Sequence, residues 1–139
     1  MKINVEDIQA FLPTMQKQIK NRYKVEISDI KLYIHDTLFL DFNLIFKGLR
    51  VNITAKGTIH ALNQGIVIDV EEGKAKNRLL NLELISFMQT LFKNNDYFKI
   101  QGNQLIFSYA MFNLPVAIQT MEIKNEEIEI KFKENAFLF

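Results

Sequence analysis

The segment LRVNITAKGTIHA, Leu49 to Ala61, alternates apolar and polar residues along its whole length. Leu49, Val51, Ile53, Ala55, Gly57, Ile59 and Ala61 fall on one side, and Arg50, Asn52, Thr54, Lys56, Thr58 and His60 on the other. A period of two belongs to a strand, so this is a long strand with one dry and one wet face. Sheets wetted on one side are usually antiparallel, and their dry side has to be covered. Ala55, Gly57 and Ala61 stand among larger dry-side residues, and their small side chains leave room above the sheet. The functional question is whether a bulky helix or a ligand fills that room.

The neighbouring sequence supplies both strands and helices. Val5, Ile8, Leu12, Met15 and Ile19 recur at helical spacing, with acids in the first turn and Lys17, Lys20 and Arg22 near the end, which predicts an amphipathic helix over about 5–21. Pro13 either kinks this helix or opens a second segment. Val25 to Ile34 reads as a strand whose phase slips at Ser28-Asp29, as at a bulge. Leu38 to Phe46, the Leu49 strand and Ile66 to Val70 complete an antiparallel meander joined by tight turns. Helical spacing returns over 81–93, with Asn81 or Asn77 as the N-cap and Asn94-Asn95-Asp96 as the stop. Hairpins then follow across Gly102-Asn103 and Asn125-Glu126. The expected fold class is α+β, in the order α-β-β-β-β-α-β-β-β-β: one domain over 1–139, a long twisted antiparallel sheet curled around two helices.

Composition removes several classes of function. A chain of 139 residues can bury a core without staples. The absence of cysteine excludes disulfides, zinc-thiolate sites and a cysteine nucleophile. A net charge of +1 argues against a nucleic-acid partner. No apolar run reaches the length of a membrane span. MKINVEDIQAFL has acids where a signal peptide carries its apolar centre, so the expected location is the cytoplasm, or outside by a non-signal route.

Residues capable of chemistry are few. His35 and His60 are the two histidines; neither has the spacing of a metal pair, and His60 projects from the wet face, so both read as solvated surface residues. Asp41, in LFLDFNLIF, is sent outward with Asn43 and Lys47 by the alternation. Glu71-Glu72 and Glu126-Glu127 are adjacent in sequence and cannot work together as acid and base. A cone-shaped enzyme of the nuclear-transport-factor-like class would need an inward acid or histidine, and the alternation places neither His60 nor Asp41 inside. No catalytic residue, cofactor or metal is expected. Lys17, Lys20, Arg22 and Lys24 form one basic cluster, and Lys74, Lys76 and Arg78 another. Their plain role is solubility and helix-dipole complementation; the functional alternative is contact with anionic headgroups or an acidic protein surface.

Helix of the IQAFLP type, strand meander, the apolar helix LELISFMQTLF, and the hairpin Tyr97 to Phe107 with its Gly102-Asn103 turn: this order resembles the tubular lipid-binding (TULIP) superfamily in its small single-domain form. Two groups within it are similar. One is the envelope-associated lipid-binding group, whose members usually have a secretion signal. The other is the OrfX group encoded beside botulinum neurotoxins, leaderless accessory proteins of the toxin cluster that associate with one another. The resemblance implies a curled sheet wrapped on a helix with a lipid or other apolar molecule between them, and no catalytic motif to transfer.

Two functions are therefore expected in turn. The first is non-enzymatic binding of a lipid or fatty-acid-like ligand in a groove lined by Leu84, Phe87, Met88, Leu91, Phe98 and Phe107. Lys17, Lys20, Lys74, Lys76 and Arg78 would then contact headgroups or a partner. It requires a cavity no smaller than one acyl chain. The second is a protein–protein interaction module with a solid core, docking on a larger partner or on a second copy through sheet edges and the Phe137-Leu138-Phe139 tail.

Overall fold

A computed structural model describes residues 1–63, 65–109 and 116–137, with only the backbone described for 116–117 and 134–137. The layout is α+β, and the long sheet is antiparallel throughout. The first helix, α1 (Val5–Tyr23), begins at a capping box: Asn4 Oδ1 accepts from the Asp7 amide at 2.9 Å, and the Asn4 amide donates back to Asp7 Oδ2 at 3.0 Å. It ends at Lys24, whose left-handed backbone (φ 58°) turns its N–H onto the Lys20 carbonyl. Pro13 lies inside this single helix. Both Pro13 and Gln9 are exposed, so the carbonyl that proline leaves without a helical donor is open to water.

The meander is β2 (Glu26–Ile34), β3 (Leu38–Phe46), β4 (Leu49–Ala61) and β5 (Gly65–Lys76). β5 is long enough to serve two partners on its far side. Residues Gly65 to Asp69 pair with β8 (Gln104–Ser108), which carries β7 (Phe98–Gln101) outside it, and Lys74 to Lys76 pair with the short β6 (Asn81–Glu83). β2 slips register between Ser28 and Lys31, with Asp29 in the left-handed region (φ 54°), where the sequence phase breaks. A second bulge lies between β4 and β5: Lys56 pairs with Glu72 and Gly57 with Val70, leaving Glu71 extra. A Cβ on Gly57 would sit 2.2 Å from the Asp69 carbonyl oxygen. Gly57 is thus required by close backbone approach at the bulge, a reason different from the room-making read in the sequence.

The second helix, α2 (Leu84–Leu91), is shorter than the expected 81–93 at both ends. Asn81 to Glu83 is recruited as a strand against β5, so Glu83 becomes the N-cap without a side-chain bond. Asn77 caps no helix; its Oδ1 accepts from the amides of Leu79 and Leu80, both at 2.7 Å, in an Asx-type turn. After the helix, Asn94 and Asn95 hold the next strand, accepting from the amides of Ile100 at 2.9 Å and of Tyr97 and Phe98 at 2.7 and 3.0 Å.

The last hairpin leaves the long sheet. β9 (Val116–Lys124) and β10 (Glu127–Phe137) join β1 (Lys2–Ile3) in a separate sheet of order β1-β10-β9, with β9 close to β4. Met1 pins its edge, its ammonium donating to the Ile130 carbonyl at 2.8 Å. Two apolar clusters result. Val51, Ile53 and Ala55 of β4 belong to the first, with Leu84 and Phe87 of α2 and Phe98 of β7. Ile59 and Ala61 belong to the second, with Tyr109, Ile118, Met121, Ile128 and Ile130. The β4 alternation is as read at Val51, Ile53 and Gly57, which are buried, and at Arg50 and Thr54, which are exposed. Leu49, read on the dry side, is exposed, because the strand starts there beyond the cover of the helices.

Candidate apolar cavity

A cavity of about 260 Å³ lies in the first cluster. Its floor is the dry face of the sheet, including Leu40 and Phe42 of β3, Ile53 and Ala55 of β4, and Ile68 and Val70 of β5. One wall is α1, through Leu12, Met15, Ile19 and Tyr23; the other is α2, through Leu84, Phe87 and Met88. α1 packs on β2 and α2 mainly on β5 and β6, with a lighter contact on β4, so the space is left between the two helices. Helical spacing puts the Leu12, Met15 and Ile19 stripe on one side of α1. Met15 and Ile19 remain half-buried because they face this space.

An aromatic ladder closes one end. Tyr23 meets Phe92 edge-on at 5.3 Å between ring centroids, Phe92 meets Phe98 at 6.1 Å, and Phe98 meets Phe107 at 5.1 Å. The Tyr23 hydroxyl accepts from Asn95 Nδ2 at 3.5 Å. Lys56 also lines the cavity, between Ala55 and Gly57, while its ammonium lies 3.9 Å from Glu71 and 5.6 Å from the centre of the Phe39 ring. Among the described residues no polar or charged residue is buried. A cavity walled in this way has nothing to hold water, and such spaces stay dry and accept apolar molecules.

Of the six residues expected to line a groove, Leu84, Phe87, Met88, Phe98 and Phe107 stand on the cavity wall. Leu91 does not; it is half-buried against the same cluster. The wall contributed by α1 was missed, although the Leu12, Met15 and Ile19 stripe was its signal. None of Lys17, Lys20, Lys74, Lys76 and Arg78 borders the cavity. Lys20 pairs with Glu26 at 3.1 Å and Lys74 with Glu83. Leu138 and Phe139, and the side chain of Phe137, lie outside the described residues.

The histidines are less isolated than their spacing implied. His35 Nδ1 is 3.5 Å from Glu126. His60 Nδ1 is 3.0 Å from Asp69 Oδ2, and Asp69 Oδ1 accepts from Gln104 Nε2 at 2.8 Å. Asp69 pairs with Thr58 across the strands, which puts it beside His60 on the wet face. Sequence spacing within one strand does not reveal a carboxylate delivered by the next. The trio fixes a ring and a charge on the sheet surface, and a histidine–carboxylate pair becomes a reaction centre only with a nucleophile or bound substrate in reach. Asp41 accepts from Asn52 Nδ2 at 2.9 Å on the same face. Among the described residues no group of histidine, aspartate and glutamate is placed to hold a metal, and no helix is long and apolar enough to cross a membrane.

No protein-family model, curated protein or solved structure matches the chain. The likeness to tubular lipid-binding domains therefore rests on element order alone.

Proposed function

We propose that this chain is a non-enzymatic binding protein that takes a small apolar molecule between α1, α2 and the long sheet. The observation that carries the reading is the cavity: about 260 Å³, walled by aliphatic and aromatic side chains drawn from both helices and most strands. Close packing is the rule in protein interiors, so a void of this size at the centre of a core calls for an occupant.

Volume sets the class of ligand. A cavity of about 150 Å³ is enough for benzene, and each water-sized group takes about 30 Å³. The space here suits a chain of about eight carbons or a compound of one or two rings. A full membrane-lipid chain is too long to be enclosed, so the condition set above for a lipid ligand, a cavity no smaller than one acyl chain, is not met, and the proposed ligand is the other one, a smaller apolar molecule. Transfer of apolar surface from water drives binding. At roughly 0.8 kcal/mol for each buried methylene, eight carbons supply about 6.4 kcal/mol, and after a cost of about 1 to 2 kcal/mol for immobilising the ligand dissociation constants fall between about 0.1 and 1 mM. A ligand's polar end would have to remain at the cavity rim, since the wall offers it no partner.

The test is native mass spectrometry of the purified protein, followed by addition of medium-chain alcohols and carboxylic acids. A one-to-one adduct is expected for chains of about eight carbons and not for chains of about sixteen. Failure of every apolar compound to bind at millimolar concentration would refute the proposal.

A further inference from the structure

Two turns meet at the end of the sheet where β4 starts and β5 finishes. One is Lys47-Gly48 between β3 and β4, both residues in the left-handed region at φ 51° and 80°. The other is the 77–80 loop between β5 and β6. Asn52 pairs with Lys76 across the strands, and Asn77 Nδ2 donates to the Arg50 carbonyl at 3.4 Å, so the turns are tied together. Their tips are apolar: Leu79 is 90% exposed, with Leu49 at 43% and Leu82 at 39% beside it. Leu79 is not a frayed residue. Asn77 takes its amide and that of Leu80, and the Asn77 amide donates to the Leu80 carbonyl at 3.0 Å. The loop is built to hold a leucine in solvent.

Cations surround these leucines. Lys47, Lys76 and Arg78 are exposed, and among the described residues none of the three forms an ion pair. Arg50 and Lys74 are tied to Asp29 and Glu83. We infer that this end of the sheet docks on a bilayer containing anionic phospholipid, with Leu79 and Leu49 entering the acyl boundary and Lys47, Lys76 and Arg78 on the headgroups. The shape favours a bilayer over a protein partner. A leucine on a convex turn tip needs a pocket made to fit on a protein, whereas a fluid acyl layer deforms around it. Cations without an acidic partner are what an anionic surface attracts, Lys47 resting only over the Phe46 ring at 5.3 Å, and apolar insertion and charge together give the binding that neither gives alone. The position is also apt: β6 runs directly into α2, whose first residue, Leu84, lines the cavity. The inference does not rest on the cavity being occupied.

The experiment is co-flotation of the whole chain with vesicles of phosphatidylcholine alone or with about a third phosphatidylserine. Wild type should float with the mixed vesicles and not with phosphatidylcholine alone, and added salt should release it. Leu79→Ser should weaken binding about tenfold, and the double variant Lys76→Glu, Arg78→Glu at least about thirtyfold. Lys131→Glu, on the exposed side of β10 in the other sheet, should leave it unchanged. All four positions are exposed, and circular dichroism identifies any variant that is misfolded; Leu79→Asn serves as the second variant there. Equal binding to both vesicle types, equal loss from Lys131→Glu, or no flotation of a folded wild type would each overturn the inference. The last result, together with retention on an immobilised acidic polypeptide, would point to an acidic protein partner instead.

Discussion

At its Ile59 and Ala61 end β4 is covered by another sheet, and at its Val51 to Ala55 end by helices. The two covers differ in the kind of space they leave. β9 and β10 bring Ile118, Met121, Ile128 and Ile130 against the sheet, all at 7% exposure or less. These side chains pack closely, but an open cleft of about 450 Å³ with partly polar walls lies between the two sheets, lined by Thr58 to Ala61 of β4 and Gln119 to Ile123 of β9. α1 touches the sheet on β2, and α2 touches it mainly on β5 and β6 with a lighter contact on β4. Between the two helices lies the cavity. The same strand thus borders an open cleft with polar walls at one end and an apolar cavity at the other, and the change comes at Gly57, where the bulge brings β5 within a Cβ's reach. Room in this protein is made by the spacing of the covering elements more than by small residues on the floor.

The largest effect that can break this comparison comes from truncation in each cluster. Ile128→Ala, at a closely packed position of the second cluster that borders neither the cleft nor the cavity, should cost about 3 kcal/mol in urea unfolding. Met15→Ala, on the cavity wall, should cost only about 1 kcal/mol, because its side chain already borders empty space. Equal losses would mean that the first cluster is closed in solution.

Gly57→Ala tests the boundary. With its Cβ placed 2.2 Å from the Asp69 carbonyl oxygen, the backbone must shift, at a cost of about 2 kcal/mol. A neutral result would return Gly57 to the role first read in the sequence. Tyr109, in the second cluster, gives a smaller effect with a pH signature. Its hydroxyl donates to the Leu62 carbonyl, and burial raises its pKa above the ordinary 10.0. The folded state therefore favours the neutral phenol. That contribution is complete below about pH 10 and is lost as pH rises through the raised value. Tyr109→Phe should cost about 1 kcal/mol at neutral pH and flatten the alkaline fall in stability seen by thermal unfolding.

Much of the fold was legible because its signals are local. The Leu49–Ala61 alternation, the phase slip at Ser28-Asp29 and the turns at Lys47-Gly48, Gly102-Asn103 and Asn125-Glu126 all depend on neighbours in sequence. The errors came where distant pairing overrode a local pattern. Asn81 to Glu83 has helical spacing but is held as a strand by Lys74 to Lys76. The last hairpin alternates like the others, and nothing in its own residues says that it pairs with β1 rather than with the long sheet. For the cavity, α2 and the Tyr97 to Phe107 hairpin were readable as apolar lining. The α1 wall was not, because an amphipathic stripe looks the same whether it meets side chains or a space. The His60–Asp69 contact likewise depends on a register that no single strand encodes.

Filling the cavity is the smallest perturbation to stability and the most direct test of the central claim. Ala55→Leu adds bulk to the floor between α1 and α2 and should change stability by less than about 1 kcal/mol. The measurement is a calorimetric titration of wild type and Ala55→Leu with an alcohol of about eight carbons, at several temperatures. Saturable one-site binding to wild type with a negative heat-capacity change, and none to Ala55→Leu, is the result predicted. Indistinguishable titrations of the two proteins would place the ligand elsewhere and contradict the account.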